Sequence, residues 1–240
     1  MKKLIPFIKG LLLLAFIVFL YGFSFTRNKA KNISSVEVSF TNGDNLFITH
    51  ETVNKLLIQN HGEVKSQPKE TIFLNKLENT LSSNEMVENA EVFLSVDGQL
   101  GVKVTQKTPI ARVHQTDQTY YIDYNGGNMP LSSNYSARVP IVVGVTNSKA
   151  SEELYALAKF IYEDDFLKKQ VVGIEQTPKK EFVLKTRIGD QEIELGSLVN
   201  LEKKINKLKA FYQKTINDKT FEQYKKINLM YNNQVVCTKK

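Results

Sequence analysis

The sequence predicts an α+β protein with three parts: an N-terminal transmembrane helix, a module ordered strand, helix, helix, strand, strand, and a strand-rich domain with two helices. Three observations carry this. One uncharged apolar run spans Gly10 to Thr26. Two segments of helical period then lie between segments of strict alternation. Beyond Pro109, short alternating segments separated by Gly and Asn turns dominate, with two more amphipathic stretches among them.

The apolar run holds Leu11, Leu12, Leu13, Leu14, Phe16, Ile17, Val18, Phe19, Leu20 and Phe23. At about 1.5 Å per residue it nearly crosses a hydrocarbon layer of roughly 30 Å, and Lys9 can snorkel to complete the span. Lys2, Lys3 and Lys9 before an apolar core also describe a cleaved secretory signal. The exit side, Gly22-Phe23-Ser24-Phe25-Thr26, has no small-x-small site, so an uncleaved anchor is the expectation. Arg27, Lys29 and Lys31 nearly balance the basic residues of the other flank, so charge alone does not orient the helix. Export of the long following domain places residues 1–9 inside as a short head, 10–26 in the membrane and 27–32 as a linker.

After the linker, Ile33 to Phe40 alternates with Val36, Val38 and Phe40 on one face. Asn42-Gly43-Asp44-Asn45 turns the chain. Thr49 is a candidate N-cap with Glu51 in the first turn, and Val53, Leu56 and Leu57 recur at helical spacing until Asn60 to Gly62. Leu74, Leu77 and Leu81, with Phe73 beside them, predict a second helix ending around Ser82 to Asn84. Ala90, Val92, Leu94 and Val96, then Asp97-Gly98, then Leu100, Val102 and Val104 predict a β-hairpin. Pro109 closes this module by breaking the ladder, giving domains at 33–108 and 109–240.

The second domain opens with strands at Ala111 to His114 and Thr119 to Asp123, and the hairpin turn Asn125-Gly126-Gly127-Asn128 comes directly after the second of them. Ser151 caps a helix with Glu152 and Glu153 in its first turn, and Leu154, Leu157, Ala158 and Ile161 line one face. Further strands lie at Val171 to Ile174, Glu181 to Thr186 and Glu192 to Leu195, with Gly189-Asp190 turning between the last two. Leu201, Ile205, Leu208 and Tyr212 define a final helix. Lys226 to Cys237 is a strand pair, or one long strand broken near Asn232-Asn233, and Lys239 and Lys240 form a tail.

Composition narrows the chemistry. The chain of 240 residues carries a net charge of +7, of which Lys2, Lys3 and Lys9 supply three, and the remainder is too mild and dispersed for a nucleic-acid partner. Lys203, Lys204, Lys207, Lys209 and Lys214 form the one local excess, expected as the solvated face of an amphipathic helix. A single cysteine, Cys237, excludes an intramolecular disulfide and a multi-cysteine zinc site. It is expected to act as a small, buried apolar residue. His50, His61 and His114 sit in no nucleophile or metal-ligand spacing. Glu163-Asp164-Asp165 reads as a solvated helix end rather than a cation site, because consecutive helical positions diverge. Asp123 to Gly127 lacks the lysine, the spacing and the following helix of a phosphate loop. No catalytic, cofactor or metal residue is predicted.

This organisation resembles the bacterial division family FtsQ, also called DivIB, over nearly the whole chain. The first module is similar to a POTRA domain, and Met86-Val87-Glu88-Asn89-Ala90-Glu91-Val92 matches the turn into its second strand. Pro109 and Ala111 fit a family segment that usually carries Glu-Arg where this chain has Gln106 and Lys107. Tyr121-Ile122-Asp123 with Gly126, Val139-Pro140-Ile141 with Gly144, and Ile193-Glu194-Leu195-Gly196 before a lysine-rich helix occur in family order. Near the end Leu229 and Tyr231 match, while Asn228 and Met230 stand where the family often has Asp and Arg.

The resemblance implies a non-enzymatic scaffold in the cytoplasmic membrane at the division septum, with extracytoplasmic domains, that binds other division proteins. Its small coiled-coil partners would be FtsB and FtsL. They would add to an exposed strand edge, whose unpaired backbone groups supply affinity and whose alternate side chains supply specificity. The expected edge is Met230, Tyr231, Asn232, Asn233, Gln234, Val235 and Val236, with Tyr231 as anchor. The rival readings are three. A POTRA protein with a transmembrane β-barrel needs more strands than remain. A tethered wall hydrolase has no residue constellation to support it. A membrane-tethered extracytoplasmic binding module of another envelope assembly process is the alternative the residues alone leave open.

Overall fold

The computed structural model describes residues 5–29, 32–41, 46–61, 67–69, 72–145 and 151–240. The predicted turn Asn42-Gly43-Asp44-Asn45 lies outside these, as do Lys2, Lys3, Gly62 and residues 30–31 of the predicted linker. The chain divides into two compact units, Met1–Gln106 and Lys107–Lys240.

In the first unit, helix α1 runs Ile5–Lys29, and its stretch Ile8–Arg27 is long and apolar enough to cross a membrane, with none of it buried. It outlasts the predicted end at Thr26, so 27–29 is helix rather than linker. No Gly or Pro interrupts Arg27-Asn28-Lys29, and the Arg27 cation suits the negative end of the helix dipole.

Strand β1 (Ser35–Phe40) is followed by α2 (His50–His61), α3 (Leu74–Ser82), β2 (Val87–Leu94) and β3 (Gln99–Gln106). The sheet order is β1-β3-β2, with β1 parallel and β2 antiparallel to β3. The register lines up Val36, Leu100 and Leu94, then Val38, Val102 and Val92, then Phe40, Val104 and Ala90. The period of two sends all nine to one face, where Val53 and Leu57 of α2 and Leu77 and Leu81 of α3 cover them.

Thr49 caps α2, its Oγ1 accepting from the Thr52 N–H at 3.2 Å. Gln106 Oε1 accepts from the N–H groups of Phe47 and Ile48 at 2.9 and 3.0 Å, fixing the approach to that helix. Val96 does not continue the alternation: the strand stops at Leu94, and Val96 is 74% exposed in the turn. Gly98 supplies that turn's positive φ of 92°.

The second unit contains β4 (Pro109–His114), β5 (Thr119–Asp123), β6 (Asn128–Met129), β7 (Ile141–Val143), α4 (Glu152–Glu163), α5 (Asp165–Gln170), β8 (Val171–Gln176), β9 (Phe182–Thr186), β10 (Glu192–Gly196), α6 (Leu201–Asn217), β11 (Tyr224–Asn228) and β12 (Val236–Lys239). Among the described residues these strands form one nine-stranded sheet in the order β12-β11-β10-β9-β8-β7-β4-β5-β6. One cross-sheet row reads Val113, Val142, Ile174, Leu184, Ile193, Ile227, Cys237. Its first six members are buried, packed in one core with Leu154, Leu157 and Ile161 of α4, Leu167 of α5, and Ile205 and Leu208 of α6.

The row of opposite parity, Arg112, Ile141, Gly173, Lys185, Glu192, Lys226, Thr238, points to the other face. There Lys226 pairs with Glu192 at 3.2 Å, and Lys185 with Glu175 at 3.7 Å. The sheet therefore carries helices on its apolar face and charge on its other.

Several expectations change. Pro109 does not end a ladder but opens β4 opposite Asp123, a strand-end position where a missing N–H is tolerated. The Asp123 carboxylate accepts from the N–H groups of Asn125 and Gly127 at 2.9 and 2.8 Å, so the Gly126-Gly127 turn spends its donors on its own chain.

Among its described residues the unit has three α-helices where two were expected. Glu163-Asp164-Asp165 is a junction: Asp164 ends α4 and caps α5, its Oδ1 accepting from the Phe166 and Leu167 N–H groups, both at 3.0 Å. Its Oδ2 meets Lys209 Nζ at 2.5 Å. The last helix continues past Tyr212 to Asn217. Three lysines of its predicted solvated face are structural. Lys204 is 9% exposed and donates to the Leu195 and Ser197 carbonyls at 2.9 and 2.7 Å, Lys207 reaches the chain after β11, and Lys209 holds Asp164.

Candidate functional site

The edge of the large sheet is built from the chain's last two strands. Parallel β10–β11 pairing sets Ile193 beside Ile227, and beyond β11 the Leu229 N–H donates to the Glu194 carbonyl at 3.0 Å. Residues 227 and 229 therefore spend their backbone groups on β10. By alternation, Lys226 and Asn228 spend theirs on β12, opposite Thr238 and Val236. On β12 this turns Val236 and Thr238 inward and leaves the N–H and C=O of Cys237 and Lys239 directed away from the sheet. Among the described residues β12 is the terminal strand in the sheet order, so those groups form an open edge.

Of the predicted edge residues, only Val236 lies in a strand. Met230 to Val235 form the connection between β11 and β12, which settles the strand-pair alternative and moves the edge to Val236–Lys239. The tail residue Lys239 is part of the strand, and the Lys240 N–H donates to Gln223 O at 2.8 Å. The sequence reading ends the strand at Cys237 and leaves Cys237, Thr238 and Lys239 out of the expected edge. The β-branched residues Val235, Val236 and Thr238 after Asn232-Asn233 are the signal that could have found them.

The connection still presents side chains beside the edge. Tyr231 is 50% exposed and Met230 45%; Asn232, Asn233 and Gln234 are exposed. Val235 and Cys237 instead pack in part against the core, and this burial pushes the Cys237 thiol up from its ordinary pKa. Met230 lies over Gly196, where a Cβ would come within 2.8 Å of Met230 Cγ. Asn228 donates to Glu194 Oε2 at 2.6 Å and accepts from the Met230 N–H at 2.9 Å. Residues 224–240 hold four lysines and no acidic residue, so the edge is locally cationic.

The remaining candidates have local roles. His50 meets the Phe40 ring edge-on at 4.9 Å, and His114 Nδ1 lies 3.0 Å from Thr119 Oγ1. Among the described residues, no three His, Cys, Asp or Glu side chains gather as a metal-ligand set.

Residues 108–238 match a family model described as FtsQ/DivIB, C-terminal related, and residues 33–105 match a POTRA-like domain. The chain is also similar to the cell division protein FtsQ of Salinibacter ruber, 29% identical over 160 residues. That alignment takes in 59% of this chain and spans 60% of the length of that relative.

Proposed function

Because the chain belongs to the FtsQ/DivIB family, we propose that it is a non-enzymatic, single-pass scaffold of the bacterial division machinery that captures small coiled-coil partners, FtsB and FtsL, on the free edge of β12. α1 would hold it in the cytoplasmic membrane with the N-terminus inside and the POTRA-like module and the strand-rich unit outside, linking early and late division proteins at the septum. The observation that carries the reading is the terminal position of β12, with the Cys237 and Lys239 backbone groups directed away from the sheet and Tyr231 exposed in the connection that leads into the strand.

An added strand gains affinity from ladder hydrogen bonds and specificity from side chains at alternate positions. Tyr231 supplies a rigid aromatic of the type that dominates protein interfaces. A charge at Val235 would disturb packing, so Val236, which is 41% exposed, is the better probe of the edge. Tyr231→Ala and Val236→Glu are expected to weaken co-purification of FtsB and FtsL with the full chain while its melting temperature is kept. Unchanged co-purification with both variants would sink the assignment. Imaging a cytosol-only fluorescent fusion at the N-terminus tests topology and place together: a mid-cell band before constriction is expected, whereas uniform membrane signal in dividing cells would refute the division role.

A further inference from the structure

We propose that Lys207 is a positioning residue for partner capture, an ammonium clamp that holds the β11–β12 connection in the shape that presents Tyr231; this rests on reading β12 as the partner edge. The connection is anchored at its β11 end. Leu229 is fully buried, its N–H bonded to Glu194 O, and Met230 is held by the Asn228 side chain and the surface of Gly196. Past Met230 the backbone runs over exposed residues. There Lys207 Nζ donates to Tyr231 O at 2.6 Å and to Asn232 O at 3.3 Å.

The clamp reaches across from a rigid support. α6 is seated in the core by Ile205 and Leu208, and Lys204 ties it to the carbonyls of Leu195 and Ser197. A charged donor makes stronger hydrogen bonds than a neutral one, and two adjacent carbonyls on one ammonium fix the peptide planes on both sides of Asn232. The Tyr231 ring is thereby offered to solvent from a fixed backbone. Its ordering cost is met before the partner arrives, which is how preorganisation raises affinity. The same contact fixes the entry to β12, a strand of four residues.

The test uses the full chain in nanodiscs and two variants. Lys207→Met keeps the aliphatic stem and removes the donors; Lys207→Arg keeps charge and donors. Without partner, Lys207→Met is expected to speed amide exchange at Asn233, Gln234 and Val235 about tenfold. With the FtsB–FtsL pair as probe, it is expected to weaken binding about tenfold, and Lys207→Arg to restore much of both. Wild-type exchange in Lys207→Met, or faster exchange with wild-type affinity, overturns the clamp. Wild-type affinity in Tyr231→Ala and Val236→Glu as well would place the failure in the edge reading itself.

Discussion

Two proline substitutions one residue apart should separate partner binding from folding. The Leu229 bond to Glu194 sets the parity of β11, and the pairing of Lys226 with Thr238 and Ile227 with Cys237 passes it to β12. Cys237 then directs its N–H outward and Thr238 directs its N–H at β11. Cys237→Pro removes a donor that the fold does not use, at an edge position of the kind where proline is tolerated. Its stability cost should stay below about 1 kcal/mol, whereas a partner strand loses one ladder bond. A net hydrogen bond of about 0.5–1.5 kcal/mol corresponds to roughly 2- to 13-fold in affinity. Thr238→Pro strips an inward donor and leaves the Lys226 carbonyl unpaired, a cost of about 1–3 kcal/mol in folding. Cys237→Ala controls for the lost thiol packing. Thermal melting of the full chain in detergent and interferometry against the coiled-coil partners read the two quantities. If Cys237→Pro melts as low as Thr238→Pro, the parity argument is wrong; if it melts normally and binds with wild-type affinity, the edge is not the docking strand.

Other perturbations probe the packing of the second unit. Burial acts to raise the Asp164 pKa, but the bond from Lys209 and the Leu167 and Phe166 N–H groups outweigh it and hold the carboxyl below its ordinary value. The unfolded pKa, about 3.9, is therefore the higher one. The ion's stabilisation is full above that pH and is lost as pH falls through the folded pKa. Asp164→Asn, which keeps a cap acceptor, should flatten the acid limb of a melting-temperature profile, and an unchanged limb would contradict this. Asp164→Ala should cost about 1–2 kcal/mol in urea unfolding, mostly the cap with a smaller share from the partly exposed pair. Gly144 has φ +83°, and a Cβ there would lie 2.1 Å from the Gln176 carbonyl oxygen. Gly144→Ala should therefore cost about 2 kcal/mol or more in the same assay, and a wild-type midpoint would refute the close approach. Asn228→Asp should set two carboxylates together and lower the melting temperature, and adding Glu194→Gln should recover it; additive losses would show that the 2.6 Å bond is not the coupling.

Local chemistry determined much of this protein. The uncharged run from Gly10 to Thr26 needs only its length to predict a spanning helix. Val36, Val38 and Phe40, like Leu100, Val102 and Val104, show in their period which face is buried. Thr49 and Ser151 mark helix starts because capping involves residues three positions apart. Tertiary structure decided which strands are neighbours, and so which one is last. The interval from Lys226 to Cys237 fits a broken strand or a pair, and only the register of Asn228 against Val236 places the edge at Val236–Lys239 rather than at Met230–Val236. The lysines of α6 obey the same limit. Their helical spacing reads as a solvated face, yet Lys204, Lys207 and Lys209 end on carbonyls of Leu195 and Tyr231 and on the carboxylate of Asp164. Periodicity reports how a residue stands relative to its own element, while the partner of a long polar side chain is set by where distant elements pack.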